Sequence, residues 1–134
     1  MIGRLNHVAI AVPNINESIS LYKNMLGAKV SNPIELREHS VIVSFVELPN
    51  TKIELITPLN EKSPLNSFFK KNPIGGIHHV CFEVEDIIKS KDKLLSEGSQ
   101  IVGNGSPSVG AHGKRVLFLH PKSFSGTLIE LEEV

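Results

Sequence analysis

The sequence has a single cysteine, Cys81, in 134 residues. One thiol cannot close an internal disulfide, so packing and hydrogen bonds must hold the fold, and a reducing compartment suits it. Cys81 itself is expected to pack as a small apolar side chain. Charge of one sign is also lacking: 14 Lys and Arg balance 14 Asp and Glu. That excludes the broad positive field with which proteins hold nucleic acid or an anionic membrane, and leaves a small molecule as the expected partner. No apolar run approaches the roughly 18 residues of a membrane span. The opening "MIGRLNHVAI" has neither the n-region nor the long h-region of a signal peptide. The chain is therefore read as soluble and intracellular: cytoplasmic in a bacterium, or in the mitochondrial matrix of a eukaryote with any transit peptide removed. A chain of this length suits one ordinary domain that buries about two-thirds of its unfolded surface.

What is present is a pattern written twice. Residues 5 to 12, "LNHVAIAV", alternate as a strand does. "NINESISLYKNMLG" then sets Ile15, Ile19, Tyr22 and Leu26 at helical spacing, with Asn14 or Asn16 as cap and Gly27 as stop. From residue 77, "IHHVCFEV" alternates again. Asp86 can cap, Ile87, Ile88, Leu94 and Leu95 share one side of a helix, and Gly98 ends it. Strand-like segments follow each helix: "VIVSFVELP" and "TKIELITP" in the first half, "KRVLFLHP" and "TLIELEEV" in the second. His7 aligns with His79, Pro49 with Pro121, and Glu54 with Glu130 in "TKIEL" and "TLIEL". Between the halves, Ser63 and Pro64 open a short connecting helix bearing Leu65, Phe68 and Phe69, which Asn72 and Pro73 close. The expected fold is α+β: one domain over residues 1–134, made of βαβββ modules at about 4–60 and 76–134. Each sheet buries one face under a helix, and the other faces curl into a mixed-sheet cleft where a ligand would sit. The glycine-rich "GNGSPSVGAHGKR" suits a loop folding over an anionic ligand.

Each half thus supplies one histidine and one glutamate. Imidazole nitrogen and carboxylate oxygen bind hard or borderline divalent cations, and two of each leave open positions in six-coordinate geometry. A single strand histidine is by itself an ordinary half-buried residue. Matched positions in a duplicated chain meet at its pseudo-two-fold axis, so His7, Glu54, His79 and Glu130 together read as a metal site. Strand period separates the doublet His78–His79, because neighbours face opposite sides: His79 is the ligand, and His78 points away, packing or hydrogen-bonding beneath a helix. His39 and His112 stand in surface-loop surroundings. His120, in "LHPKS", ends a strand where it either touches ligand or caps a turn.

At this point nearly the whole chain resembles a known family, the methylmalonyl-CoA epimerases of the vicinal oxygen chelate (glyoxalase-like) superfamily. The resemblance rests on "LNHVAIAV", "LYKNMLGAKV", "NTKIELITPL" followed by "SPLNSFFKKN", "GGIHHVCFEV" and "GAHGKRVLFLHPKSFSGTLIELEE". It implies the paired βαβββ fold and one divalent ion, often cobalt in preparations of such enzymes, with Mn, Ni, Zn or Mg as alternatives. The ion would be held at His7, His79 and Glu130, with Glu54 where relatives carry Gln or Glu. It further implies epimerisation of (S)- and (R)-methylmalonyl-CoA in propionyl-CoA metabolism, and a homodimer.

The reaction removes a weakly acidic C–H between a thioester and a carboxylate and returns the proton to the other face, so an enolate must be stabilised. Glu130 is the base the family suggests. Some relatives carry a second glutamate where this chain has Val43, which cannot move a proton. Glu47 lies on the same strand face but roughly 13 Å further along, at 3.3 Å per residue. The second proton carrier is left open. The phosphates of CoA call for cationic and polar contacts, and Lys114, Arg115, Lys122 and Ser123 are the candidates, beside His120. Two rivals stand beside this reading. One is a glyoxalase I-like lyase using the same His and Glu set. The other is a metal-free small-molecule-binding protein on the same fold, which has no need of four retained ligand positions.

Overall fold

The computed structural model describes residues 1–134, and no helix in it is long and apolar enough to cross a membrane. The chain separates into two compact units: His7–His78, and Met1–Asn6 with His79–Val134. The first strand, β1 (Ile2–Ala11), contributes to both.

In the unit of residues 7–78, Asn14 is the cap of α1 (Ile15–Asn24), its side chain accepting the Glu17 amide at 3.1 Å. Ile15 and Ile19, four apart, are buried, and Tyr22 packs partly against the same cluster. Gly27, at φ 64°, turns the chain out of the helix. Leu26 was expected on the buried stripe but lies beyond the last turn and is 70% exposed. β2 (Lys29–Val30), β3 (Ile34–Leu36), β4 (Val41–Glu47) and β5 (Lys52–Pro58) follow. β4 pairs antiparallel with β2, β3 and β5, while β5 runs parallel to β1. Val12, Val30, Val46 and Leu55 close over Ile15 and Ile19; each such side chain contributes roughly 1.5–3 kcal/mol by leaving water. The connecting helix α2 (Leu65–Lys71) buries Leu65, and the Ser63 hydroxyl accepts the Leu65 amide at 3.3 Å.

The other unit repeats the plan with β6 (Gly76–Val84), α3 (Ile87–Ser96), β7 (Ser108–Val109), β8 (Arg115–Leu119) and β9 (Ile129–Glu133). β9 runs parallel to β6 and antiparallel to β8, and β7 hairpins onto β8. Each unit is therefore a βαβββ module with a mixed sheet under one helix, the strand after α1 in the first unit being broken into β2 and β3, both of which pair with β4. Asp86 caps α3, accepting the Ile88 and Lys89 amides, each at 3.0 Å. Its core is Val84, Ile87, Leu94, Leu117, Leu119 and Leu131. Ile88 and Leu95 do not join it, being 40% and 48% exposed. A ten-residue helix on one sheet buries a single stripe, and Ile87, Ser90 and Leu94, spaced three and four apart, fill it.

Glu133 ties β8, β9 and the start of α3 together. Its carboxylate accepts Arg115 Nε at 2.8 Å, Arg115 Nη2 at 2.7 Å and the Ile87 amide at 3.1 Å. The Arg115 hydrogen bond, then that of Ile87, holds Glu133 below the ordinary carboxylate range. A carboxyl with a lower pKa folded than unfolded adds stability above its unfolded pKa and loses it as pH falls through the folded value.

Two outcomes follow for urea unfolding. Asn14→Ala should cost about 1 kcal/mol, the usual worth of a cap. Glu133→Gln should be less stable than the parent at neutral pH, and that gap should close as the solution is acidified below the ordinary carboxylate range.

Candidate functional site

Strand period two places the polar residues of interest. In the unit of residues 7–78 the helix-facing positions are Ile10 on β1, Val12 just past its end, and Ile53 and Leu55 on β5, so His7, Ala9 and Glu54 fall on the opposite face. The parallel register sets Ala9 against Glu54, with His7 two residues upstream on the same side. His7 and Glu54 are buried, at 1% and 5% exposure, and His7 Nε2 stands 3.8 Å from Glu54 Oε2. On β4, Phe45 faces Glu54 and meets the His7 ring edge-on at 6.0 Å between centroids.

The other unit builds the same arrangement from different elements. Cys81 on β6 is set against Glu130 on β9, with His79 two residues upstream. His79 and Glu130 are buried, at 2% and 6%, and His79 Nε2 lies 2.9 Å from Glu130 Oε2. On β8, Phe118 faces Glu130 and meets the His79 ring edge-on at 5.6 Å. Cys81 is fully buried on the same face of β6 as His79, and its thiol is of the kind that can hold a metal ion. A carboxylate taken out of water needs a compensating charge or donors. An imidazole beside it is one such partner and a divalent cation another, and all four residues are of the kind that can hold a metal ion.

The family model for the glyoxalase, bleomycin resistance protein and dioxygenase superfamily matches residues 6–118. The ethylmalonyl-CoA/methylmalonyl-CoA epimerase of Cereibacter sphaeroides is 58% identical over 134 residues, covering 100% of both chains. This chain belongs to the methylmalonyl-CoA epimerase family. The mitochondrial methylmalonyl-CoA epimerase of Dictyostelium discoideum is 58% identical over 98% of this chain and 79% of its own. Among solved structures, the methylmalonyl-CoA epimerase of Mycobacterium tuberculosis superimposes with a TM-score of 0.90 at 29% identity, covering 98% of this chain and 88% of its own.

For a methylmalonyl-CoA epimerase the remaining residues of interest divide by position. His78 packs its ring on Phe68 of α2, edge-on at 5.1 Å. His120 caps the turn Pro121–Ser123, its Nδ1 accepting the Lys122 amide at 3.1 Å. Ser123 Oγ accepts the Gln100 amide at 2.9 Å, and Arg115 is forked onto Glu133. Lys114 and Lys122 are exposed. His39 ends a short turn, Arg37–His39.

Phe45 and Phe118 were not foreseen. Aligning Pro49 with Pro121 sets Phe45 against Leu117, one residue from its true counterpart. The register to Glu54 and Glu130 corrects this, because the tight β4–β5 turn is replaced in the other unit by a longer one opening at Pro121. A second group was also missed. Buried Glu132 receives Asn6 Nδ2 at 3.2 Å and His112 Nδ1 at 2.9 Å, and Asn6 Nδ2 also reaches Glu83 at 3.1 Å. Period two in "ELE" does place Glu132 on the face of Glu130, but no local pattern announces its partners.

Double-mutant cycles in metal-free protein should give about 1 kcal/mol of coupling for His7 with Phe45 and for His79 with Phe118, as edge-on ring pairs do. Coupling near zero in both would show that the rings merely fill space.

Proposed function

We propose that the chain acts as one domain, a metal-dependent epimerase interconverting (S)- and (R)-methylmalonyl-CoA by removal and return of the C2 proton in propionyl-CoA metabolism. One observation carries the reading. In a chain 58% identical over its full length to an epimerase of this kind, both units seat a buried His and Glu at the same strand register.

The donor chemistry fits a divalent cation. Two imidazoles and two carboxylates are the nitrogen and oxygen set that first-row metals accept, cobalt among them, and two carboxylates match the charge of a doubly positive ion. His7, Glu54, His79 and Glu130 would hold it. When bound, such an ion supplies Lewis-acid stabilisation of the negative charge that develops when a proton leaves carbon beside a carbonyl.

Glu130 is the proposed base. Its Oε2 faces His79 Nε2 at 2.9 Å, the side on which the ion would be held, and Oε1 borders the space left by Gly110, where an added Cβ would stand 3.8 Å away. A carboxylate held through one oxygen keeps the other aimed, which is what proton transfer to a fixed carbon requires. Val43 is fully buried and apolar, and Glu47 at the far end of β4 is exposed, so the opposite face of C2 is served by another donor. The exposed Lys114 and Lys122 are proposed for the CoA phosphates; Arg115, His120 and Ser123 would add to substrate binding while keeping their scaffold bonds. A homodimer is the proposed assembly.

Deuterium incorporation at C2 of methylmalonyl-CoA in heavy water, with the metal chelated and then restored, tests the reading. Metal-dependent exchange at enzyme-like rates is expected, with none on a glutathione hemithioacetal; the reverse pattern would favour the lyase. His79→Ala should lose both bound metal and exchange. His78→Ala should retain both and unfold more readily. Glu130→Gln with full exchange would remove Glu130 as the base.

A further inference from the structure

We infer that His112 is a positioning residue: through Glu132 it latches the turn between β7 and β8 against the Glu130 carboxylate. The inference rests on the epimerase reading and deepens it. β7 pairs Ser108 with Val116 and Val109 with Arg115, leaving residues 110–114 as the turn. That turn is held internally by Gly110 N donating to Lys114 O at 2.9 Å and Gly113 N to Gly110 O at 3.1 Å. It passes so close to β8 that a Cβ on Gly110 would lie 2.8 Å from Val116 Cγ1, and 3.8 Å from Glu130 Oε1. The backbone at Gly110 therefore forms one wall of the space around the proposed base.

What fixes the tip of this turn to the sheet is a part-buried hydrogen bond from His112 to a buried carboxylate. Glu132 stands two residues after Glu130 on the same face of β9 and is 5% exposed. Its Oε2 accepts His112 Nδ1 at 2.9 Å, and its Oε1 accepts Asn6 Nδ2 at 3.2 Å. Asn6 is itself buried and also donates to Glu83 at 3.1 Å, so the acceptor of the latch is braced from behind. Hydrogen bonds to a buried carboxylate are among the stronger ones available to a side chain, and losing one leaves an acceptor desolvated. One rigid strand thus carries both the base and the anchor of the turn beside it. Movement of the tip would open that wall and free the carboxylate to rotate.

Two variants separate positioning from simple stabilisation. His112→Leu keeps bulk without a donor, and His112→Asn places an amide N–H where Nδ1 stands. In His112→Leu, amide hydrogen exchange over residues 109–115 should quicken, and kcat for C2 exchange should fall roughly ten- to a hundred-fold, the usual effect of a small misplacement. KM should change less than kcat, and His112→Asn should recover most of both losses. Unchanged amide exchange in His112→Leu overturns the latch. Quickened amide exchange with kcat at the parent level overturns its positioning role. If the parent protein itself fails to exchange C2 with any divalent metal, the epimerase reading falls, and amide exchange still decides whether the latch exists.

Discussion

The parallel pairing of the first and last strands within each unit is the constraint on which the remainder depends. It sets Ala9 against Glu54 and Cys81 against Glu130, each with a histidine two residues upstream. A one-residue slip in either pair would turn the glutamate towards the helix and bring an apolar neighbour to the polar face. The slip is prevented from the other side of the sheet. Leu55 and Leu131 are locked into apolar clusters with Ile15 and Ile19, and with Ile87 and Leu94. Packing that has no chemical role therefore sets the position of groups that do. The caps at Asn14 and Asp86 belong to the same mechanism, because they fix where each helix starts and so which side chains it lays on the sheet.

Burial shapes the electrostatics of both His and Glu pairs. Glu54, Glu130 and Glu132 all lie within a few per cent of full burial, and each has an imidazole near one oxygen: His7, His79 and His112 respectively. The last two are equally tight, at 2.9 Å, and the first is looser, at 3.8 Å. The looser His7–Glu54 pair leaves its two donors further apart, whereas His112 and Glu132 are tied to a turn and an asparagine. An aromatic ring edge against His7 and against His79 lines each pair with carbon, and a low local dielectric strengthens whatever charge interaction occurs there.

The duplicated architecture was legible because its signals are local and occur twice. Alternation, an Asn or Asp cap, an apolar helical stripe and a glycine stop survive in both halves, and the matched "IEL" segments place their glutamates correctly. Legibility failed where distance along the chain or helix geometry decided the outcome. Two apolar residues too many were assigned to α3, since composition does not reveal that a short helix buries one stripe only. The Phe45–Phe118 correspondence was hidden by turns of unequal length, to which a proline-to-proline alignment is blind. Asn6 and Glu132 are 126 residues apart, and no spacing rule reaches that far.

The same distance has a consequence for how the chain is assembled. The unit of residues 79–134 includes Met1–Asn6, so residues 1–6 are completed by residues that follow the whole first module in the chain. Asn6 cannot settle its amide until β6 and β9 have formed, whereas the unit of residues 7–78 holds its own strands and helix in one stretch. Closing so long a loop is entropically slow. During synthesis residues 1–6 therefore emerge before the partners that complete their unit, which closes only once residues 79–134 have followed.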